Sequence, residues 1–210
     1  MNKNISIITN FGCNNHCGYC VWKNHFLANR KDETDWNKLE KFLIDFQDKK
    51  KVSISGGGDP LYYFDVNKDK EGFVWFDKLF HITNQLNMKV DIHTRVKYFN
   101  PDFWNKINRV NFSVINIDND IDFLKWLKNH TQVRIVYVVE KHTTNEYVEK
   151  LIEFSNKNLM QLTFKQLYGQ DDNGRYDELK NKYNDQFFLD HDDYNIYYMP
   201  DNLVYDRFII

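Results

Sequence analysis

Three cysteines near the amino terminus are spaced as ligands of a metal centre. Cys13, Cys17 and Cys20 are the only cysteines of the 210-residue chain, and their spacing in the segment Phe11-Gly-Cys-Asn-Asn-His-Cys-Gly-Tyr-Cys20 is C-x3-C-x2-C. Thiolates at this density commonly ligate a metal ion or an iron–sulfur cluster. Three thiolates leave one iron of a [4Fe–4S] cluster without a protein ligand, and a catalytic metal site needs such an open position.

A structural zinc site with a histidine as fourth ligand is the alternative interpretation of these cysteines. His16 is adjacent to Cys17 and poorly placed to reach the same ion, whereas His25 lies farther along the chain. Structural zinc sites usually pair two C-x2–4-C segments, and the sequence contains no second one. A disulfide framework is disfavoured because the number of cysteines is odd and no secretory context is present.

A glycine run followed by an acid is the second candidate site. Val52-Ser-Ile-Ser55 is predicted to be a strand, and Gly56-Gly-Gly-Asp-Pro60 follows it directly. Glycine allows the backbone to approach a ligand closely and to adopt a positive φ, although three glycines also suit a tight turn. The Asp59 carboxylate, at the carboxyl end of the strand, could pair with an ammonium group.

Taken together, the two motifs resemble those of the radical S-adenosylmethionine (radical SAM) superfamily. In that family the cysteine motif follows the first strand of a β/α barrel, and an aromatic residue precedes the last cysteine, as Tyr19 does here. The second family motif, commonly Gly-Gly-Glu-Pro, corresponds to Gly57–Pro60, with aspartate in place of glutamate. The resemblance covers roughly residues 4–170, and each motif directly follows a predicted strand.

The resemblance implies two cofactors and a set of residues that hold them. These are a [4Fe–4S] cluster on the three cysteines and S-adenosylmethionine, whose amino and carboxylate groups would chelate the open iron. The implied S-adenosylmethionine contacts are Tyr19 near the adenine, Gly57, Gly58 and Asp59 near the methionine amino group, and Ser113 and Asn116 near the ribose and the carboxylate. Ser113 and Asn116 could equally cap the turn after the fourth strand, and the shorter Asp59 requires a closer backbone than glutamate does.

Family membership would also imply a reaction. The cluster passes one electron to S-adenosylmethionine, the carbon–sulfur bond breaks, and the resulting 5′-deoxyadenosyl radical takes a hydrogen atom from the substrate. An electron donor such as flavodoxin or ferredoxin is then required. The short chain and the lack of further cysteines favour a small-molecule or nucleotide-like substrate.

Two other functions stay open on the sequence. The first is an activase that generates a glycyl radical on a partner enzyme, since activases are also short. The second, from a different class, is a zinc-stabilised binding module without catalysis. No residue is identified as a catalytic acid or base.

Composition predicts a single domain in the cytoplasm. Hydrophobic residues make up 42% of the chain, which is enough for a sizeable core, and the net charge of −2 gives no electrostatic case for a nucleic-acid or membrane surface. No segment resembles a signal peptide or the roughly 20 apolar residues of a transmembrane helix.

Predicted strands and helices alternate along the chain. The strands are Ile5–Thr9, Lys51–Ser55, Lys89–His93, Arg109–Ile115, Val133–Val139 and Gln161–Leu167, and the helices include Trp75–Leu86, Pro101–Ile107, Ile121–His130 and Asn145–Asn156. Short βαβ steps give parallel pairing and right-handed crossovers. We therefore expect an α/β fold, a partial (β/α)6 parallel barrel whose site lies at the carboxyl ends of the strands.

Residues 1–170 are predicted to form the core domain, and residues 171–210 a C-terminal extension packing on it. The extension contains a helical segment near Asp177–Tyr183 and a β-hairpin made of Tyr194–Met199 and Leu203–Phe208, which we expect to cover the open side of the barrel or to pair with an edge strand. Further candidate site residues at the strand ends are Thr94, Arg95, His93 and either Lys165 or Gln166.

Overall fold

Parallel strands dominate the computed structural model, which describes residues 4–15, 17, 20, 34–166, 172–183, 187–189 and 195–205. Within these residues nine strands form one sheet in the order β7-β6-β5-β4-β3-β2-β1-β8-β9, and only β8 and β9 pair in antiparallel fashion. The strands are β1 (Asn4–Gly12), β2 (Lys51–Gly58), β3 (Lys89–Thr94), β4 (Arg109–Val114), β5 (Gln132–Val138), β6 (Gln161–Lys165), β7 (Phe188–Leu189), β8 (Asn195–Tyr198) and β9 (Val204–Tyr205).

Helices connect the strands. They are α1 (Trp36–Asp45), α2 (Tyr62–Asp65), α3 (Asp69–Gln85), α4 (Pro101–Trp104), α5 (Ile121–Leu127), α6 (Asn145–Asn158) and α7 (Arg175–Tyr183). Side-chain caps fix several helix starts: Asp35, Asn100 and Thr144 accept hydrogen bonds from the backbone N–H groups three residues on, which would otherwise lack an intrahelical partner. Within the described residues, no helix is both long enough and apolar enough to cross a bilayer.

One face of the sheet packs against the helices. Strand residues such as Ile54, Ile92 and Phe112 are fully buried against helix residues such as Leu79 and Leu124 in one core cluster. Since successive strand residues point to opposite faces, the residues between them face away from the helices. We call this opposite side the polar face; on β2–β6 its members include Ser53, Asp91, His93, Arg109, Asn111, Ser113, Arg134, Thr163 and Lys165.

The predicted α/β fold with a parallel barrel-like core is confirmed, with several differences in extent. β1 and β2 run on into the motif segments, as far as Gly12 and Gly58, because the two strands stay paired there across a register shift. β4, β5 and β6 end one or two residues earlier than predicted, and Leu167 lies outside the described residues. The short helix α2 and strand β7 were not predicted.

The C-terminal segment adds strands to both edges of the sheet. β8 pairs in parallel with β1, and β9 returns antiparallel to β8, so the predicted hairpin and its pairing with an edge strand are both present. Tyr194 and Phe208, at its predicted ends, lie outside the described residues. At the other edge β7 pairs with β6, and Tyr176 and Leu179 of α7 are buried in the main core.

Candidate active site

The backbone joins the two sequence motifs directly. Gly12, the residue before Cys13, pairs with Gly58, and the Asp59 N–H donates a 2.8 Å hydrogen bond to the Gly12 carbonyl. Both glycines have positive φ, +110° and +120°, and a Cβ on Gly58 would lie 2.5 Å from the Gly12 oxygen. Glycine is therefore required here by the close approach of two backbone segments, and the glycine–acid motif lies next to the cysteine loop.

The cysteine loop begins at this contact. The Asn15 backbone N–H and side-chain Nδ2 donate to Cys13 Sγ at 3.3 and 3.5 Å, and the Cys20 N–H donates to the Cys17 carbonyl at 3.2 Å. Burial raises the pKa of the Cys13 thiol; the Asn15 hydrogen bonds oppose this rise, whereas Asp59 and Cys20 add to it. Metals bind the thiolate form of cysteine. A metal that binds Cys13 therefore has to displace the thiol proton, which this environment retains.

Asp59 is a buried carboxylate that connects the ends of β2 and β3. Oδ1 accepts from the Leu61 N–H at 2.9 Å and the Thr94 hydroxyl at 2.6 Å, and Oδ2 accepts from the Arg95 N–H at 2.7 Å. Burial raises the pKa of the Asp59 carboxyl, although these three hydrogen bonds lower it again. A carboxylate offers about four acceptor positions, so one position on Oδ2 can still accept a ligand.

Arg95, whose backbone N–H binds this carboxylate, carries a cationic side chain just after β3. Its Nη1 is buried and has no hydrogen-bond partner among the described residues. A buried donor without a partner costs free energy, which makes an oxyanion a favourable neighbour for this guanidinium. Asp59 thus offers an acceptor and Arg95 a donor at adjacent strand ends. An amino acid group, which has both an ammonium and a carboxylate, needs such a pair.

The predicted residues at the end of β4 have different surroundings. Ser113 is half-buried on the polar face, at the carboxyl end of its strand, with no side-chain hydrogen bond to the rest of the described chain. Asn116 is exposed, and its Oδ1 accepts from the Asp118 N–H at 3.1 Å, which is the capping role considered above. Tyr19 lies outside the described residues.

Tyr147 of α6 holds the backbone on both sides of Asn116. Its hydroxyl accepts from the Ile117 N–H at 2.8 Å and donates to the Ile115 carbonyl at 3.1 Å. Burial of this hydroxyl raises the pKa of Tyr147 to about 12, so the hydroxyl stays protonated and keeps both hydrogen bonds. No local sequence pattern predicts this contact, because Tyr147 and Asn116 lie on separate elements.

The remaining strand-end candidates divide between the polar face and solvent. Lys165 ends β6 in register with Val138 and is half-buried on the polar face, whereas Gln166 follows the strand and is exposed. His93 lies on the polar face, where Asn111 Nδ2 is 3.2 Å from its Nε2. Thr94 is buried and contacts Asp59 directly, a role that the sequence analysis did not assign.

The residues present fit an iron–sulfur cluster in their chemistry. The donor set consists of three half-buried thiols within eight positions of the chain, and the backbone of the acid Asp59 is hydrogen-bonded to the residue before the first of them. Among the described residues, no three acidic, histidine or cysteine side chains are gathered closely enough to hold a single ion. The loop therefore provides the ligand types but not a closed single-ion site.

Comparison with known proteins gives structural likeness but no sequence match. No family model and no curated protein matches the chain. Streptococcus suis SuiB bound to its precursor peptide SuiA superposes on 97% of the chain with a TM-score of 0.65 and 18% identity. The enzyme anSMEcpe with bound AdoMet and the Cp18Cys peptide matches 89% of the chain with a TM-score of 0.55 and 18% identity.

A second structure of anSMEcpe with AdoMet matches 78% of the chain at a TM-score of 0.51 and 15% identity. The chain spans 59% of SuiB and 55% of the peptide-bound anSMEcpe, less than two thirds of either. Both are radical SAM enzymes. The chain therefore has the fold of the radical SAM enzymes, as the resemblance of its two motifs implied.

Proposed function

We propose that the chain is the catalytic core of a radical SAM enzyme. The contact between the two motifs supports this most directly: the Asp59 N–H to Gly12 oxygen hydrogen bond of 2.8 Å places the acid beside the residue that precedes Cys13. When bound, the cluster and S-adenosylmethionine supply a 5′-deoxyadenosyl radical that takes a hydrogen atom from the substrate. Cys13, Cys17 and Cys20 hold the cluster in this proposal.

The chain's own residues bind and orient the cofactor. The remaining acceptor position of Asp59 Oδ2 accepts a hydrogen bond from the methionine ammonium. Gly57 and Gly58 allow the backbone of β2 to pass beside the cofactor. Arg95 Nη1 donates to an oxyanion at the neighbouring strand end. Ser113 donates from the polar face, Asn116 contacts the cofactor from the loop held by Tyr147, and Tyr19 lies by the adenine.

The substrate is a separate question. A small or nucleotide-like molecule is the first candidate. A peptide is the second candidate, because SuiB is bound to a precursor peptide and anSMEcpe to the Cp18Cys peptide in structures of the same fold. A glycyl-radical activase would be a special case of a polypeptide substrate.

The domain organisation and partners complete the proposal. Residues 1–170 form the catalytic core, and residues 171–210 an extension that packs on it through Tyr176 and Leu179. Flavodoxin or ferredoxin supplies the electron. The cytoplasm is the expected compartment, since its reducing conditions keep the thiols available for the cluster.

Anaerobic reconstitution with iron and sulfide tests the proposal. We expect about four irons and four sulfides per chain, with the broad absorption of an iron–sulfur protein. Replacing Cys13, Cys17 or Cys20 singly with Ala should abolish the bound iron. A single-Cys variant that kept the full iron content would contradict the ligand assignment.

The same measurement separates the enzyme from a zinc-stabilised module. A zinc module would be colourless after reconstitution, would bind one ion per chain, and would lose its fold when the ion is chelated. The core here is formed by strands and helices independent of the cysteine loop. We therefore expect the circular dichroism of the unreconstituted chain to be that of a folded α/β protein.

A further inference from the structure

The polar face of the sheet carries an excess of positive charge. Along β2–β6, alternation places on this face one carboxylate, Asp91, and the cations Lys51, Lys89, Arg109, Arg134 and Lys165 among the described residues. Asp91 is buried, and Arg109 Nη2 lies 2.7 Å from its Oδ2. Asn108 and Lys51 also contact this carboxylate, at 2.6 and 3.8 Å. Its charge is therefore already neutralised.

Arg134 is a cation of this face that forms no ion pair with Asp91. It is half-buried as the third residue of β5, its Nε donates to Gln161 Oε1 at 3.0 Å, and no carboxylate of the described residues lies within 4.0 Å of it. Lys165 lies on the neighbouring strand, β6, and is the next residue after Thr163 on the polar face. Arg134 pairs with Gln161 and Val138 with Lys165, so the two cations lie on the same face of two neighbouring strands, with Lys165 nearer the carboxyl ends.

Two buried polar atoms on the same face lack partners. Arg109 Nε and Ser53 Oγ are inaccessible and form no hydrogen bond with the described residues. Burial and the charges of Lys165, Arg109 and Arg134 lower the pKa of His93 to about 3, so the imidazole is neutral near pH 7. Cations that repel one another beside unpartnered donors are an arrangement that a bound anion would stabilise.

We propose that the polar face binds an oxyanion group of the substrate, a carboxylate or a phosphate, through Arg134 and Lys165. The guanidinium of Arg134 can hold two oxygens of such a group at once, and the ammonium of Lys165 supplies a second charge. Asn111 on β4 and Ser53 on β2 are additional donors of the same face. This inference rests on the proposed function, because it names the chemistry of the substrate that lies beside the cofactor.

Titration of the full chain with small anions tests the site without a cluster. The probes are inorganic phosphate and glutarate, added at ionic strength matched with sodium chloride, and the readout is the imidazole NMR signal of His93. We expect a saturable shift with at least one probe. Phosphate alone would identify a phosphoryl group, glutarate alone a carboxylate, and binding of both would support the shared oxyanion chemistry.

Variants locate the binding. Arg134→Gln and Lys165→Gln should each raise the half-saturating anion concentration about 10- to 150-fold. Arg134→Lys keeps the charge but loses the planar fork, so its half-saturating anion concentration should lie between those of wild type and Arg134→Gln. This variant replaces Arg134→Gln in the test if the glutamine variant fails to fold. Lys125→Gln removes one exposed charge on α5 and should leave the half-saturating concentration unchanged.

Three results would overturn the inference: no saturable shift with either anion, an equal shift with chloride alone, or equal weakening by Lys125→Gln and Arg134→Gln. Cofactor cleavage by the reconstituted wild-type protein is measured separately. If cleavage occurs and no anion binds, the oxyanion site is wrong and the proposed function stands. If anions bind and a loaded cluster never cleaves the cofactor, the proposed function is wrong.

Discussion

At the scale of single residues, Asp59 connects two strand ends, and in the proposed function it also binds the cofactor through the same two oxygens. Three of its acceptor positions are occupied by Leu61, Thr94 and Arg95 of its own chain. A glutamate at this place would project farther from the backbone, whereas the aspartate remains close enough to bond to β3. The aspartate, at the place where the radical SAM motif commonly has glutamate, thus connects β2 with β3 and leaves one oxygen position without a partner among the described residues.

Asp59→Asn should weaken both cofactor binding and folding. The amide loses the charge that would face the methionine ammonium, and we expect the dissociation constant for S-adenosylmethionine to rise about 10- to 150-fold, the equivalent of roughly 1.5–3 kcal/mol. The amide NH2 group would also face one of the three donors that now bind the carboxylate, and two donors cannot bond to each other. The free energy of unfolding should therefore fall by about 1–3 kcal/mol. Isothermal titration and urea denaturation measure the two effects, and iron content should be unchanged.

Thr94→Val is the matched control for Asp59→Asn. It removes the 2.6 Å hydrogen bond to Asp59 but keeps the carboxylate and its charge. Stability should fall in a similar way, while cofactor affinity should change much less, and Asp59→Glu should bind the cofactor better than Asp59→Asn. Equal affinities of wild type and Asp59→Asn would mean that the acid has only the connecting role.

At the scale of elements, the close contact between β1 and β2 positions the candidate site. Both strands continue into the motif segments because Gly12 and Gly58 adopt positive φ and let the two backbones meet. Gly56 is constrained as well, since a Cβ there would lie 1.8 Å from the Gly58 carbonyl oxygen. The distance between the two motifs is therefore set by glycine backbone geometry.

Gly58→Ala should separate the two strand ends. The added methyl group meets the Gly12 oxygen at 2.5 Å in a strained conformation, and we expect a loss of roughly 3 kcal/mol or more in the free energy of unfolding, together with reduced iron incorporation. Gly174→Ala is the control, because Gly174 has φ +74° with no atom near its Cβ position. It should cost only about 1–2 kcal/mol and leave iron incorporation intact; equal losses would contradict the close-contact account.

The neutral state of His93 gives a pH dependence at the polar face. Its folded pKa of about 3 lies below its ordinary value of 6.5, so the unfolded chain takes up a proton first as the pH falls. The stability present above pH 6.5 is therefore lost progressively towards pH 3. His93→Gln should lose less stability than wild type over this interval in urea denaturation, and identical pH profiles would show that His93 titrates normally.

Much of the fold follows from local patterns, and the rest depends on contacts between distant elements. Alternation of Val, Ile and Phe predicts β2–β6. Strand β7 has only two residues, too few for a periodic signal. The continuation of β2 through three glycines could not be predicted, because glycine has no strand preference and the pairing with Gly12 alone keeps it extended.

The candidate site was predictable to a similar extent. The cysteine spacing and the glycine–acid run identify the segments, but Thr94, Tyr147 and Arg134 act through partners 30 or more positions away or through strand neighbours. One sequence signal was available for the polar face. Asp91, His93, Arg109, Asn111 and Arg134 occupy alternate positions in otherwise apolar strands, a pattern that indicates a sheet with one polar side.

At the scale of the whole molecule, the two faces of the sheet have separate tasks. The helix-side face holds the main apolar core, whereas the polar face leads from the charged residues of β3–β6 to the strand ends where both motifs lie. The C-terminal extension lengthens the sheet at both edges and adds the small apolar cluster of Ile8, Tyr197 and Met199. This arrangement suits a cofactor at the strand ends and a substrate group farther along the polar face.

Reductive cleavage of S-adenosylmethionine tests the central claim most directly. The anaerobically reconstituted chain, reduced with dithionite, should convert S-adenosylmethionine to methionine and 5′-deoxyadenosine, measured by mass spectrometry, even slowly without substrate. The Cys17→Ala variant, treated in the same way, should yield none and shows the background of the assay. A wild-type protein that carries a complete [4Fe–4S] cluster but never yields 5′-deoxyadenosine would contradict the claim that this fold is a radical SAM catalyst.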